Sequence, residues 1–513
     1  MGTSRTLVLQ NGRRHVSSQP GQQTVDVNTI PSELVERVDV VTGGNSALYG
    51  SDAVAGVVNF ITKRDYEGLE IRAQSGLSSR FDRGNYYLSV TAGKNFADGR
   101  GNIAANVGIS SAPPLFFADR DGQTGAFSGR RQFQLTENTT FSGPNNTTEP
   151  AAGNGIPDTT LLSGLKNAGI STGGAITSVC TGSADRRALN CSGVLSPSSR
   201  NADGSLNYTE LGNIFVFAPD GSLVKNTGTA DFRPYGSGNF QGGSGSTLRE
   251  TGLLQVGQTN YTGNLLASYE FSDAARVFFE GKFVRSEAIQ EGQPTFSSGA
   301  LNPTFSINNP FLTPQARALL VQSLAPGATG FTMQRFNIDF GGRGENHKRD
   351  VYRIVTGLEG NFLDTWRYEV SLNYGHADTF YRTRGNVNLA NFTRSVNAVL
   401  NSANQIVCAV NADAIATNDD PACVPINLFG VGKPSAAALN YIVHESSRKQ
   451  WAEQFNALAF VSGDSAKWFE LPGGPVGFAI GAEYRQENSF SAYDPFTAGG
   501  GTFLNAIATF DPP

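Results

Sequence analysis

From Trp366 the chain reads Trp-Arg-Tyr-Glu-Val-Ser-Leu-Asn-Tyr. Trp366, Tyr368, Val370, Leu372 and Tyr374 therefore share one face, and Arg367, Glu369, Ser371 and Asn373 share the other. Period-two alternation of this kind predicts β-strands with unlike faces. Gly263, Leu265, Ala267, Tyr269 and Phe271 repeat it, as do Val277, Phe279 and Phe283 against Arg276, Glu280 and Lys282. Phe478, Ile480, Ala482 and Tyr484 face away from Glu483 and Arg485. Weaker copies lie near residues 68–77, 85–94, 102–110, 351–362 and 451–462. The windows have the length that a tilted strand needs to cross a bilayer. Tyr86, Tyr87, Trp366, Tyr374 and Trp451 sit near their ends, where interface girdles place aromatics. A soluble β-sandwich or propeller would show the same alternation, so periodicity leaves both readings open.

The first 63 residues follow a different rule, being compact, mixed and punctuated by glycine. Thr6–Leu9 predicts a short strand that ends at the turn pair Asn11-Gly12. Pro31 is placed for the first turn of a short helix through Glu36. Val38–Val41 reads as a strand closing at Gly43-Gly44, Ser46–Tyr49 and Asp52–Ala55 as helical turns, and Val57–Thr62 as another strand. Between the later strands run long stretches rich in Gly, Ser, Asn and Pro, over 111–210 and 286–345. Such loops are usually functional. Thr313 is positioned to cap a helix with Pro314 in its first turn, and Ser435 to start one through Val443.

Composition narrows the choice. Charged residues make up 16% of the chain, against roughly 25% in an ordinary soluble domain. The net charge of −5 is spread without a basic block, which leaves a nucleic-acid partner unsupported. Mean hydropathy is −0.25, and no apolar run approaches the ~18 residues of a membrane helix. A membrane barrel hides its apolar face by alternation, so neither value excludes one. The four cysteines form two local pairs, Cys180 with Cys191 and Cys408 with Cys423, in polar loops without CxxC spacing or a neighbouring histidine. They read as two disulfides in an oxidising compartment, with four free thiols as the alternative and zinc disfavoured. The segment Gly430-Val-Gly-Lys433 is followed by Pro434 where a phosphate loop needs Ser or Thr. His444-Glu445 lacks the second histidine of a zinc protease. No catalytic constellation, metal site or cofactor site is found.

The segment that decides is Val35-Glu36-Arg37-Val38-Asp39-Val40-Val41-Thr42-Gly43-Gly44-Asn45-Ser46-Ala47-Leu48-Tyr49-Gly50, continuing to Gly56, Asn59 and the exit Thr62-Lys63. It resembles the end of the plug domain of TonB-dependent outer-membrane receptors. Leu7–Arg14 is similar to the plug strand and turn that precede it. The resemblance covers nearly all of residues 5–63, and more loosely the rest as the N-terminal part of a barrel.

It implies a mainly β chain: an incomplete plug, small and α+β, over residues 1–63, then part of a transmembrane antiparallel β-barrel of about 22 strands over 64–513, with long extracellular loops. It also implies a bacterial outer-membrane receptor rather than an enzyme. Its partners would be outer-membrane lipid, the TonB–ExbB–ExbD energising complex (whose contact segment the chain lacks) and a small-molecule substrate such as a siderophore, cobalamin, an oligosaccharide or a peptide.

By analogy, Glu36 and Arg37 pair with the inner wall, with Glu483 and Arg485 as partners, or else are ordinary helix-end charges. Thr42 stands where the family often has an arginine, and Gly44 replaces a proline. Substrate would meet the plug turns around Asn11, Arg13, Arg14 and His15 and around Gly43–Asn45, together with loops 111–210, 286–345 and 385–445.

Met1–Arg5 carries no export signal, and the candidate strands number roughly half of a full barrel. The expectation is therefore a fragment or split receptor, inactive alone, forming an open curved sheet with two unpaired edges. Two alternatives are a secreted or surface β-rich protein recognising glycans and a receptor fragment with a signalling role.

Overall fold

The computed structural model describes residues 5–44, 49–116, 119, 252–291, 294–297, 301–324, 327–363 and 365–503. Between 133 and 241 it describes 133–137, 159–163, 166–167, 170–176, 215–225, 233–234 and 239–241.

Residues 6–62 build a small mixed sheet from β1 (Thr6–Gln10), β2 (Arg13–Arg14), β3 (Val35–Thr42) and β4 (Gly56–Thr62). The order is β2-β1-β4-β3, with β1 parallel to β4 and the other pairs antiparallel. Asn11 and Gly12 both take positive φ, 53° and 77°, so the two-residue hairpin turn has the twist its strands require. At Gly56 a Cβ would lie 2.6 Å from the Val41 carbonyl oxygen, and only glycine lets β3 and β4 approach there. Leu7, Leu9, Ala53 and Val57 form the core, with Tyr49 packed against it.

The helix expected from Pro31 through Glu36 is only a 3-10 turn over Ser32–Leu34. Val35 already pairs with Thr62, and the β-branched run after it favours the ladder over a one-turn helix. Residues 46–48 of the expected Ser46–Tyr49 turn lie outside the described residues.

The second sheet has nine strands among the described residues: β5 (Gly68–Leu77), β6 (Gly84–Phe96), β7 (Gly101–Ala112), β8 (Gly257–Ser272), β9 (Ala275–Gln290), β10 (Glu345–Phe362), β11 (Trp366–Val387), β12 (Val443–Asp464) and β13 (Gly477–Tyr493). They are hydrogen-bonded strictly in chain order, and every neighbouring pair is antiparallel. At one end of the sheet the β8/β9 and β10/β11 connections are short. At the other end the chain makes its long excursions, after β7, β9 and β11.

One face of this sheet is apolar and exposed: Val370, Leu372, Ile354 and Ile480 lie on it. Aromatics rim that band. Tyr269, Phe271, Phe362, Trp366, Trp468 and Phe478 group at the short-turn end, with Trp366 5.5 Å from Trp468 and 6.2 Å from Phe478 between ring centroids. Tyr261, Tyr352, Tyr374 and Tyr484 mark the other rim. From Trp366 to Tyr374 a strand tilted by about 40° climbs roughly 20 Å, close to the ~25 Å apolar band of an outer-membrane wall. No helix among the described residues is long and apolar enough to cross a membrane.

The long excursions are not structureless where they are described. Phe217, Phe305, Phe331 and Phe429 stack at centroid distances of 5.0–6.5 Å within a core that also takes Leu301, Leu320, Phe392 and Ile442. Helix α1 (Pro314–Ser323) is capped by Thr313 Oγ1, which accepts from Ala316 N. Ser435 caps a later helix, Ala436–Ile442, in the same way.

Of the two expected disulfides, one joins Cys408 to Cys423, behind the small hairpin of Ala398–Leu400 with Ile406–Cys408. The other, expected between Cys180 and Cys191, is not found among the described residues, because Cys180 and Cys191 both lie outside them.

Candidate functional site: the seam between the small sheet and the wall

The hairpin of β1 and β2 points its turn and its two arginines at the polar face of the large sheet. Arg13 is buried between two carboxylates. Its Nε and Nη2 donate to Glu369 Oε1 at 2.9 and 2.7 Å, its Nη1 donates to Glu280 Oε1 at 3.0 Å, and the guanidinium lies 4.2 Å from the Phe278 ring centroid. Glu280 also accepts from Asn11 Nδ2 at 2.7 Å and from Arg353 Nη1 at 3.1 Å. Arg14 donates to Glu483 at 3.0 Å, to Asp52 at 2.6 Å and to the Tyr49 carbonyl at 2.6 Å. Arg485 closes this second cluster on Asp52 at 2.7 Å. Burial pushes the Asp52 carboxyl up, but the hydrogen bond from Arg485 and the charges of Arg14 and Arg485 outweigh it and hold the group below its usual range.

His15 is buried beside them. Its Nδ1 is 3.0 Å from the Val16 carbonyl, so the ring donates there and its Nε2 accepts from Lys282 Nζ at 3.2 Å. Lys282 also donates to Gln10 Oε1 at 2.7 Å. Loss of hydration, then the charges of Lys282 and Arg353, hold the His15 imidazole well below the usual histidine range. Above this layer Val16 packs with Val284, Val351, Ala377 and Ala452. Gly375 leaves the room, since a Cβ there would lie 2.8 Å from the Val16 Cβ. Further up, Arg349 donates to Asp26 at 3.0 Å.

The segment leaving the small sheet is fastened residue by residue. Arg64 donates to Glu359 at 2.8 Å, Asp65 accepts from Arg276 at 3.2 Å, the Tyr66 carbonyl accepts from Asn102 at 3.0 Å and Glu67 accepts from Asn95 at 2.9 Å. Arg367 joins Arg64 on Glu359 at 3.1 Å.

Two expectations about site residues change. Glu36 and Arg37 do not reach the wall: Arg37 pairs with Glu36 at 3.6 Å and Asp39 at 3.2 Å along their own exposed strand. β3 is the sheet edge farthest from the β1/β2 hairpin, so its charges are turned away from Glu483 and Arg485. Those two wall charges do meet the small sheet, through Arg14 and Asp52. The second change concerns Asn11, Arg13, Arg14 and His15, taken as a substrate surface. Their donors are consumed by Glu280, Glu369, Glu483, Asp52 and the Val16 carbonyl, which makes them seam residues.

Sequence reasoning missed Asp52, Glu280, Glu369 and Arg353 as partners. The available signal was a charge at the inward position of a period-two strand, already visible at Glu280, Lys282 and Glu369.

In the glycine-rich segment, Gly43, Gly50 and Gly56 take positive φ of 90°, 80° and 147°, and Gly44 has the Val54 carbonyl 3.8 Å from where a Cβ would lie. Asn59 Oδ1 accepts from Gly12 N at 2.9 Å, stapling β4 to the hairpin turn. Asn45, Ser46, Ala47 and Leu48 lie outside the described residues.

Residues 1–57 match the family described as TonB-dependent Receptor Plug Domain. Among solved structures, a ferric enterobactin receptor of Pseudomonas aeruginosa is 12% identical with a TM-score of 0.33, covering 96% of this chain and 48% of its own. A siderophore receptor of Acinetobacter baumannii is 12% identical with a TM-score of 0.38, at 96% and 41% coverage. A Pseudomonas aeruginosa protein bound to heterologous pyoverdines is 8% identical with a TM-score of 0.39, at 99% and 40% coverage. The chain spans about half the length, or less, of these structures.

Proposed function

We propose that the chain is part of a TonB-dependent receptor, and that this receptor takes up a scarce small molecule across the bacterial outer membrane, with residues 1–63 as the gate and 64–513 as membrane wall and loops. The observation that carries this reading is Arg13, buried between Glu280 and Glu369 of two separate wall strands. A buried charge with two countercharges gains little net stability over an apolar contact, yet breaking it is expensive. Such a seam holds a domain in one position and still separates with the unpacking of only one small apolar cluster, around Val16.

In this reading the exposed apolar band faces lipid, the polar face lines the lumen, and the small domain closes it. Pulling by the TonB–ExbB–ExbD complex, driven by the proton gradient, shifts the domain and opens a path along the seam. The apolar band speaks against the alternative of a secreted glycan-binding protein, which would have to hide it from water.

Expression in a Gram-negative host, behind an added export signal, tests the reading. The chain is expected in the outer-membrane fraction, extractable only by detergent. The Arg13→Ala variant is expected to loosen the gate and raise sensitivity to vancomycin, which an intact outer membrane excludes. Recovery of the wild-type chain as a soluble periplasmic or secreted protein would overturn it.

A further inference from the structure

On the flank of the small domain away from Arg13 and Arg14, the seam opens into a cavity of about 360 Å³. Glu33 enters it from the 3-10 turn after Pro31. Arg72, Gln74, Tyr87, Gln258 and Asn260 enter it from the inward faces of β5, β6 and β8. The Glu33 side chain is buried, and its Oε1 is fully engaged: Ser32 Oγ donates to it at 3.1 Å, the Tyr87 hydroxyl donates to it, and Arg72 Nη1 stands 3.9 Å away. Its Oε2 has no hydrogen-bond partner among the described residues, and neither has the Gln74 amide. The Gln258 and Asn260 amides are held only by long bonds, Gln258 Nε2 to Asn260 Oδ1 and Asn260 Nδ2 to Ser110 Oγ, each 3.2 Å. The guanidinium of Arg72 lies 5.8 Å from the Tyr87 ring centroid.

This lining has one carboxylate and one guanidinium, so it carries no net charge. Its remaining side chains are amides and hydroxyls that both donate and accept, two tyrosine rings, and a single aliphatic side chain, Ala112. An anionic chelate would find no surplus of cations, and an apolar peptide side chain would find no apolar pocket. A polyhydroxylated ring matches it. Each hydroxyl both donates and accepts, an adjacent pair can bridge a carboxylate oxygen and a guanidinium, and the C–H face of the ring packs on tyrosine.

We infer that the cavity between Glu33 of the gate and the inward face of β5–β8 binds a neutral carbohydrate, which is the substrate class of the transport proposed above and rests on that reading. Because the ligand touches gate and wall together, its binding also strengthens their contact.

The test is calorimetric titration of the detergent-purified full chain with maltotriose, cellotriose, xylotriose and mannotriose, with ferrichrome and triglycine as comparators. At least one trisaccharide is expected to bind and the comparators are not. Glu33→Gln and Gln258→Ala are each expected to weaken binding about tenfold, whereas Gln450→Ala, on the inward face of the distant β12, leaves it unchanged. Tyr87→Phe replaces either variant that fails to fold. The bound trisaccharide is also expected to slow proteolysis of residues 63–67. Absence of binding by all four trisaccharides, or binding indifferent to these substitutions, overturns the inference. Binding without gradient-dependent uptake of the labelled trisaccharide by cells carrying the receptor with its TonB-contacting segment would leave the site standing and sink the transport reading. Gradient-dependent uptake of ferrichrome without any trisaccharide binding would do the reverse.

Discussion

Arg13 and His15 show how much of this molecule is decided by single side chains. Truncating Arg13 to alanine leaves Glu280 and Glu369 facing each other across a buried gap, with Arg353 and Asn11 still on Glu280 and Arg367 at 3.8 Å from Glu369. Breaking a buried pair in this way costs about 3–5 kcal/mol. Arg13→Ala is therefore expected to release residues 5–62 to protease at a denaturant concentration where the wild type still holds them. Arg13→Lys recovers little of the loss, because an ammonium cannot repeat the forked contact.

His15 gives the seam a pH dependence of known sign. Its docked pKa is lowered by burial and by Lys282 and Arg353, so a released domain binds a proton that the docked one refuses. The docked state keeps its full advantage above a pH of about 6.5, and below that loses about 1.4 kcal/mol per pH unit until the docked group titrates too. Protease release of the small domain, followed from pH 7.5 to 5, should accelerate in the wild type. In His15→Gln the response should be flatter, and an unchanged profile would remove His15 from the account.

At the scale of elements, the wall was the legible part. The alternation around Trp366–Tyr374 and Phe478–Tyr484 assigns every residue to a face, because a strand has no third option. The prediction that follows is directional. Leu372→Arg, on the exposed apolar face, should destabilise the membrane-embedded sheet by about 2–4 kcal/mol, whereas Ser491→Arg, inward and above the band, should be far milder in urea unfolding from liposomes. The caps at Thr313 and Ser435 were legible as well, since a cap is written in adjacent residues.

Pairing across the seam was not. Which arginine meets Glu483 depends on how β1 and β2 are set against β13, a register that local sequence does not encode. The Pro31 segment misled for a related reason: its helix signal was local, and the competing ladder partner Thr62 is remote. The packed loops were illegible because Phe217, Phe305, Phe331 and Phe429 are far apart in the sequence and meet only once folded. The Cys408–Cys423 link closes a loop whose entropy is worth about 3 kcal/mol. Its reduction should raise hydrogen exchange across residues 398–423 and leave the exchange of β1 and β4 unchanged.

For the whole molecule, the central claim is that the N-terminal domain sits against the inward face of the wall, held chiefly by charge, with one small apolar cluster around Val16. Val16 and Gly375 report on that placement directly, because Val16 lies just after β2 of the small domain, Gly375 lies in β11 of the wall, and the two almost touch. A chain carrying Val16→Cys and Gly375→Cys, expressed in outer membranes and treated with a mild oxidant, should form an internal cross-link. The cross-link would appear as a reductant-sensitive shift on a denaturing gel that neither single variant shows. Efficient cross-linking in the otherwise native chain, and its decline when Arg13→Ala is added, is the result this account predicts. No cross-link in a chain that is folded and membrane-inserted would place the small domain elsewhere and contradict it.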